Sequence, residues 1–213
     1  MKVFHIRLVN REVQCAYDGA DMAPPVTLSG HLVAAALACT AAVSVVSGGL
    51  TALGAAQQPK PLDVIYVPTP DLVVKQMLTT AKVAKGDVVF DLGSGDGRIP
   101  IAAVKDFGAA RGVGIELDPA RIAEARANAE AAGVSDRVTF LQQDLFTADL
   151  SAATVIAMYL LPAINEKLAP TFRALRPGTR IVSHNYDMGK AWKPAKSFVV
   201  DNHVVHFWTV PKR

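Results

Sequence analysis

The sequence predicts an α/β protein built on a mostly parallel, seven-stranded sheet with helices on both faces. Three observations predict it. From residue 71 onward, short runs rich in Val and Ile alternate with longer amphipathic stretches, the pattern of parallel strands joined by crossover helices. A glycine-rich turn, GSGDG (93–97), follows the first of those runs. The last apolar stretch is split by Asp201-Asn202, a pair suited to a hairpin turn, so the sheet ends in two antiparallel strands.

The elements follow in order. DLVVKQMLTTAKV (71–83) sets Leu72, Val73, Met77, Leu78 and Ala81 at helical spacing, and Pro70 precedes it where a missing N–H costs little. DVVFDL (87–92) is a short buried strand. RIPIAAVKDFG (98–108) reads as a helix ending at Gly108, with Pro100 in its first turn. RGVGIELD (111–118) is the second strand, and PARIAEARANAEAAG (119–133) is a helix opened by proline and closed by glycine. RVTFLQQD (137–144) and ATVIAMYL (153–160) are strands, and LPAINEKLAPTFRAL (161–175) is a helix with an interruption expected at Pro170. TRIVSHNY (179–186) is the fifth strand, and SFVVDNHVVHFWTV (197–210) supplies the last two.

The rest of the chain is different in kind. Of 213 residues, none between Met22 and Gln58 is Asp, Glu, Lys or Arg, which accounts for much of the 51% hydrophobic content. The organisation read from this is a disordered leader (1–30), an apolar helix (31–56), a linker around QQPKPLD (57–64) and one domain (65–213). A bilayer core takes about 20 apolar residues as a helix, so 31–56 is long enough to span. It reads as a membrane anchor, as an export signal ending near Gly54-Ala55-Ala56, or as a helix packed on the domain. Met22 is an alternative start. Cys15 and Cys39 both lie in this part, so the domain has no thiol for a disulfide or a metal. With 22 basic and 19 acidic side chains the net charge is +3, too balanced for the concentrated basic face of a nucleic-acid binder. A monomer without nucleic-acid partner is expected.

Ligands on such sheets bind at the carboxyl ends of the strands, where the strand order reverses. That directs attention to Asp91 with Gly93, Ser94 and Gly95, to Glu116 with Leu117, to Asp144 with Leu145, to Tyr159 and to His184. The glycines let the backbone approach a ligand, yet G-S-G-D-G departs from the G-x-G-x-x-G of dinucleotide sites. Asp91 suits an ammonium better than a pyrophosphate. S-adenosylmethionine carries that ammonium, a ribose for Glu116 and an adenine for Asp144. Glu116 follows the glycine turn by about 20 positions, the offset at which a carboxylate meets ribose hydroxyls. His184 is open to two readings, a general base for a hydroxyl acceptor or a satisfied structural histidine.

Together DLGSGDGR, GIELD and QQDLF resemble the cofactor motifs of class I S-adenosylmethionine-dependent methyltransferases, with their Rossmann-like seven-stranded sheet. Residues 66–103 and 159–188 are similar to the archaeal broad-specificity protein-lysine methyltransferases and to the mitochondrial enzymes acting on the ATP-synthase c subunit. The resemblance implies that Asp91, Gly93, Ser94 and Gly95 cradle the methionine end, that Glu116 takes the ribose, and that Asp144, Leu117 and Leu145 frame the adenine. It implies that YVPTP (66–70) closes over the cofactor, with Thr69 on its carboxylate and Tyr66 lining a lysine channel; a packing turn with a helix cap fits those two equally well. Tyr159 is a wall for the lysine stem or an ordinary strand-end aromatic. MYLLP (158–162) lacks the Asn/Asp-Pro-Pro-aromatic motif of base-methylating enzymes.

The implied reaction is methyl transfer to the amine of a lysine in a protein substrate, with a general base optional. The alternatives are a small-molecule methyltransferase using His184 as base and a silent cofactor-binding module. The cofactor is cytoplasmic, which favours an anchored domain on that side; cleavage of 31–56 as a signal implies export instead.

Overall fold

The computed structural model describes residues 66–212, together with the backbone of residues 8–9 and 12–13. Those two pairs form short antiparallel strands, β1 (Leu8–Val9) and β2 (Glu12–Val13), with Leu8 opposite Val13. They lie within the stretch read as a leader. The apolar segment 31–56 and the linker 57–64 fall outside the described residues. Among the described residues no helix is long and apolar enough to cross a membrane.

The C-terminal unit is one seven-stranded sheet. Its strands are β3 (Val88–Leu92), β4 (Arg111–Glu116), β5 (Val138–Gln142), β6 (Val155–Met158), β7 (Arg180–His184), β8 (Lys196–Val200) and β9 (His203–Thr209). The spatial order is β5-β4-β3-β6-β7-β9-β8. The five strands from β3 to β7 run parallel, and β9 is antiparallel to both β7 and β8. Asp201 and Asn202, with φ of 47° and 63°, make the β8–β9 connection, the left-handed pair that a two-residue hairpin turn requires. From β3 the chain winds outward through β4 and β5, then returns to the other side of β3 with β6. That reversal opens a crevice at the carboxyl ends of β3 and β6.

Alternation along the strands feeds two apolar layers. Val89, Val155, Ala157 and Val182 face α1 (Asp71–Thr80), α2 (Arg98–Lys105) and α3 (Pro119–Ala131), packing with Met77, Leu78, Val104 and Ile122. Phe90, Leu92, Ile156, Met158 and Ile181 face α4 (Pro162–Ala174), packing with Leu168, Phe172 and Trp208. Side chains such as Met77, Leu78 and Phe172 have no exposed surface, and burial of each contributes about 1.5–3 kcal/mol.

Three local expectations need correction. Helix α4 is not interrupted at Pro170 but runs through it. The proline costs one backbone bond, and the packing of Leu168, Ala169 and Phe172 on either side keeps the helix continuous through the gap. Helix α2 stops at Lys105, short of Gly108. Leu72 is 55% exposed, and Val74 takes its place on the buried face of α1.

Candidate active site

The site is assembled by the turn that leaves β3. Gly93 and Gly95 have φ of 76° and 50°, a region in which a side chain would be strained. The N–H groups of Gly93 and Ser94 donate to the Ile115 carbonyl at 2.9 and 3.0 Å, which locks the turn to the end of β4. Glu116 completes the lock. Its Oε2 accepts from Gly95 N at 2.9 Å, and its Oε1 accepts from Leu117 N at 2.8 Å and Asp118 N at 3.0 Å. One carboxylate therefore organises both loops.

Asp91 is treated quite differently. It is 2% exposed, and among the described residues its carboxylate meets no hydrogen-bond donor. Burial pushes its carboxyl well above the usual range, and the negative charges of Glu116 and Asp96 push the same way. Beside it the Ser94 hydroxyl is buried without a partner. Both groups line a cleft of about 500 Å³, within the usual range for small-molecule sites.

Across the cleft lies a strap, residues 66–70, which enters α1. Tyr66 covers Gly95 so closely that a Cβ there would run into the tyrosine ring. Burial raises the Tyr66 hydroxyl pKa, helped by the charge and hydrogen bond of Asp96, and Arg121 stands 4.9 Å from the ring centre. Arg98 ties strap to turn. Its Nη1 donates to the Thr69 carbonyl at 2.9 Å, while Nε and Nη2 hold the Asp96 carboxylate at 3.0 and 2.6 Å. Burial alone would raise Asp96, but the bonds from Arg98 outweigh it and keep the carboxyl below its ordinary value.

The other wall comes from β6 and β7. Tyr159, Leu160, Leu161 and Ile164 line it, with Tyr186 stacked on Tyr159 at 6.2 Å between ring centres. Tyr66, Val67, Leu161 and Tyr186 are exposed at 36–56% and form an apolar rim.

The structure thus brings Tyr66, Thr69, Asp91, Gly93, Ser94, Glu116, Leu117, Leu145 and Tyr159 onto one cleft, with Gly95 directly beneath Tyr66. Besides Gly95, which Tyr66 covers, two expected residues are not on its wall. At the end of β5 the lining side chain is Gln143, whereas Asp144 Oδ1 accepts from Phe146 N at 3.0 Å. His184 is fully buried behind Tyr159, their ring centres 3.9 Å apart. Thr69 lines the cleft, but its hydroxyl is engaged by His184 Nδ1 at 3.1 Å. Sequence reasoning passed over Gln143, Tyr186 and the Arg98–Asp96 pair. Arg98 was within sight, since it closes the DLGSGDGR motif. Among the described residues no group of three His, Cys, Asp or Glu side chains could hold a metal ion.

Strand order, glycine turn and the bare carboxylate at the switch point define a class I S-adenosylmethionine-dependent methyltransferase. Comparison with known proteins carries this further. A family described as the ANTKMT methyltransferase domain matches residues 91–196. A protein-lysine N-methyltransferase of Saccharolobus islandicus is 45% identical over 150 residues, 68% of this chain and 92% of the relative. The adenine nucleotide translocase lysine N-methyltransferase of Mus musculus is 34% identical, over 64% of this chain and 58% of the mouse protein. A crystal structure of an RNA methyltransferase from Salinibacter ruber, in complex with S-adenosyl-L-homocysteine, is 53% identical, with a TM-score of 0.66 over 69% of this chain and 95% of that one. The chain belongs to the family of the Saccharolobus protein-lysine N-methyltransferase, and its cofactor is S-adenosylmethionine. The unpartnered Asp91 carboxylate and Ser94 hydroxyl fit that cofactor's charged methionine end.

Proposed function

We propose that the protein transfers a methyl group to the side-chain amine of a lysine in a protein substrate. The observation that carries this is the far wall of the cleft. Tyr159 and Tyr186, stacked on each other, line the cleft with Leu161 and Ile164, a wall that suits an alkyl stem and an amine approaching an aromatic face. The names of the Saccharolobus and mouse relatives support the same acceptor.

In this reading Asp91 takes the cofactor ammonium, Ser94 and the glycine turn take the rest of its methionine end, Glu116 the ribose, and Leu117, Gln143 and Leu145 the adenine. When bound, the cofactor supplies a methyl group activated by a sulfonium. The chain's own task is to present the amine uncharged. For a free lysine, with a pKa near 10.4, that costs about 4–5 kcal/mol at pH 7. The apolar rim lowers the cost by excluding water, which disfavours the ammonium form. Orientation against this aromatic wall contributes several kcal/mol more, by about the amount that held reactants gain. No general base is needed. His184 is poorly suited to that role: burial, and then the neighbouring His203, lower its pKa to about 4, and both ring nitrogens are engaged.

The name of the Salinibacter protein favours a second reading, an RNA acceptor. The apolar rim and the absence of a base-methylation motif after β6 speak for the first. Incubation of the purified protein with methyl-labelled cofactor and a host extract separates the two. Label should enter protein and appear as methyl-lysine after acid hydrolysis. Label confined to RNA or to small molecules would overturn the proposal. For location, the charge-free segment 31–56 supports an anchored domain on the cytoplasmic side, where the cofactor is made. Membrane fractionation with N-terminal sequencing of the natural protein tests this, and a mature chain starting after Ala56 would favour export.

A further inference from the structure

His184 takes no part in the reading above, yet it sits at the junction of the two halves of the cleft. Its Nδ1 meets Thr69 Oγ1 at 3.1 Å, and its Nε2 meets His203 Nδ1 at 2.8 Å. Its ring lies against Tyr159, the acceptor wall. Asn185, next in sequence and held at φ 59°, places its amide 3.4 Å from the Tyr159 hydroxyl and accepts from Val204 N at 2.9 Å. The strap's other side-chain ties, from Arg98 and Tyr66, run to the glycine turn. Among the described residues, only the Thr69 hydroxyl carries a side-chain hydrogen bond from the strap to the β7–β9 half of the sheet.

We propose that His184 is a positioning residue that sets the two walls of the cleft in register. Through Thr69 it holds the strap over the cofactor, and through its ring face it fixes the plane of Tyr159 on the acceptor side. An uncharged imidazole has one donor and one acceptor nitrogen, which matches one hydroxyl on one side and one imidazole on the other. Either tautomer completes the chain, because the threonine hydroxyl both donates and accepts and His203 Nδ1 can carry or lack a proton. A leucine would fill the same space but leave Thr69 without its partner. The inference rests on the cofactor site and holds for any acceptor, lysine or other.

The test is binding and release of S-adenosylhomocysteine by the whole protein, followed by calorimetry and by displacement kinetics. Thr69→Val and His184→Leu should each weaken binding about tenfold, mostly through faster release, as expected when a buried hydrogen bond is broken and its partner orphaned. The double variant should be no worse than either single, since both remove the same link. Thr69→Ser and His184→Asn, which keep a polar atom near the lost one, should recover most of the effect. A histidine that served only the fold would lower the thermal midpoint of the ligand-free protein without changing release. Unchanged release in Thr69→Val, or fully additive losses, would overturn the proposal. Should His184→Leu fail to fold, His184→Gln takes its place in the double-variant comparison, since a threonine that touched only the cofactor would give additive losses with it. A wild-type protein that bound no S-adenosylhomocysteine would instead refute the cofactor assignment.

Discussion

Asp87 and Asp91 stand at opposite ends of β3, and their surroundings could hardly differ more. At the amino end, Asp87 accepts from Ala84 N at 2.9 Å, from Thr154 Oγ1 at 2.8 Å and from the Arg180 guanidinium. Arg180 in turn donates to the carbonyls of Ala81 and Lys82 at 2.7 and 3.0 Å, closing the end of α1 onto β7. Burial would raise the Asp87 carboxyl, but Thr154, Ala84 and Arg180 together bring it below its usual value. At the carboxyl end, Asp91 is more deeply buried, has no donor among the described residues and is raised by burial and by two other acids. The same residue type is complete at one edge and incomplete at the other. The amino edge holds the sheet together, whereas the carboxyl edge is left for something else to complete.

The sharpest way to break that contrast is to remove the charge at each edge. Asp91→Asn keeps the shape and should weaken S-adenosylhomocysteine binding about a thousandfold, or ~4 kcal/mol, the scale for losing one member of a buried charge pair. The ligand-free protein should at the same time become more stable to denaturant, because a buried carboxylate without donors is costly. Calorimetry and urea unfolding read the two effects separately. Retained affinity in Asp91→Asn would mean that the carboxylate does not meet the ammonium. Asp87→Asn should do the reverse. It leaves Arg180 with a weaker partner and should cost about 3 kcal/mol of stability. The value sits at the low end for a buried pair because the two side chains keep 12% and 22% of their exposure. Cofactor affinity should stay within about twofold of wild type. A parallel fall in affinity would show that the two edges are not independent.

Much of the carboxyl edge was legible before the structure. Alternating apolar runs located the strands, and a glycine turn bounded by an acid located the switch point, because both signals are local. Glu116 was legible for the same reason, from the GIELD that closes the run read over 111–118, although the strand itself stops at Glu116. What spacing left open was non-local. Asp144 and Gln143 both lie beyond Gln142, where β5 ends and side chains stop alternating between two faces, so spacing could not say which of them meets the cleft. Whether His184 faces the cleft or the interior depends on its pairing with Val205 across β9. Arg98 was visible, but its partner, the Thr69 carbonyl, lies on a segment whose path no periodicity describes. Pro170 misled for the opposite reason: a local rule was right about the lost hydrogen bond and wrong about the outcome, which packing decided.

The smallest expected effect is also the most direct measure of the contrast, a difference in slope against pH. For Asp91 the folded pKa lies above the unfolded one. The folded protein therefore keeps a proton that the unfolded chain has released, and stability is lost as pH rises through the folded value. For Asp87 the folded pKa lies below the unfolded one, so its contribution is present above the unfolded value and lost as pH falls through the folded one. His184, lowered to about 4, acts like Asp87 in sign: its contribution is lost as pH falls from its unfolded value near 6.5 toward 4. Unfolding free energies of the ligand-free protein, measured between about pH 3 and pH 8, combine these terms. Subtracting the Asp91→Asn curve from the wild-type curve removes the two that are shared. The difference should run against wild type as pH increases, while the same subtraction with Asp87→Asn should run the other way at its acid end. A flat Asp91 difference would mean that this carboxyl ionises as freely in the folded protein as in the unfolded chain, and the carboxyl edge would then be no less complete than the amino edge.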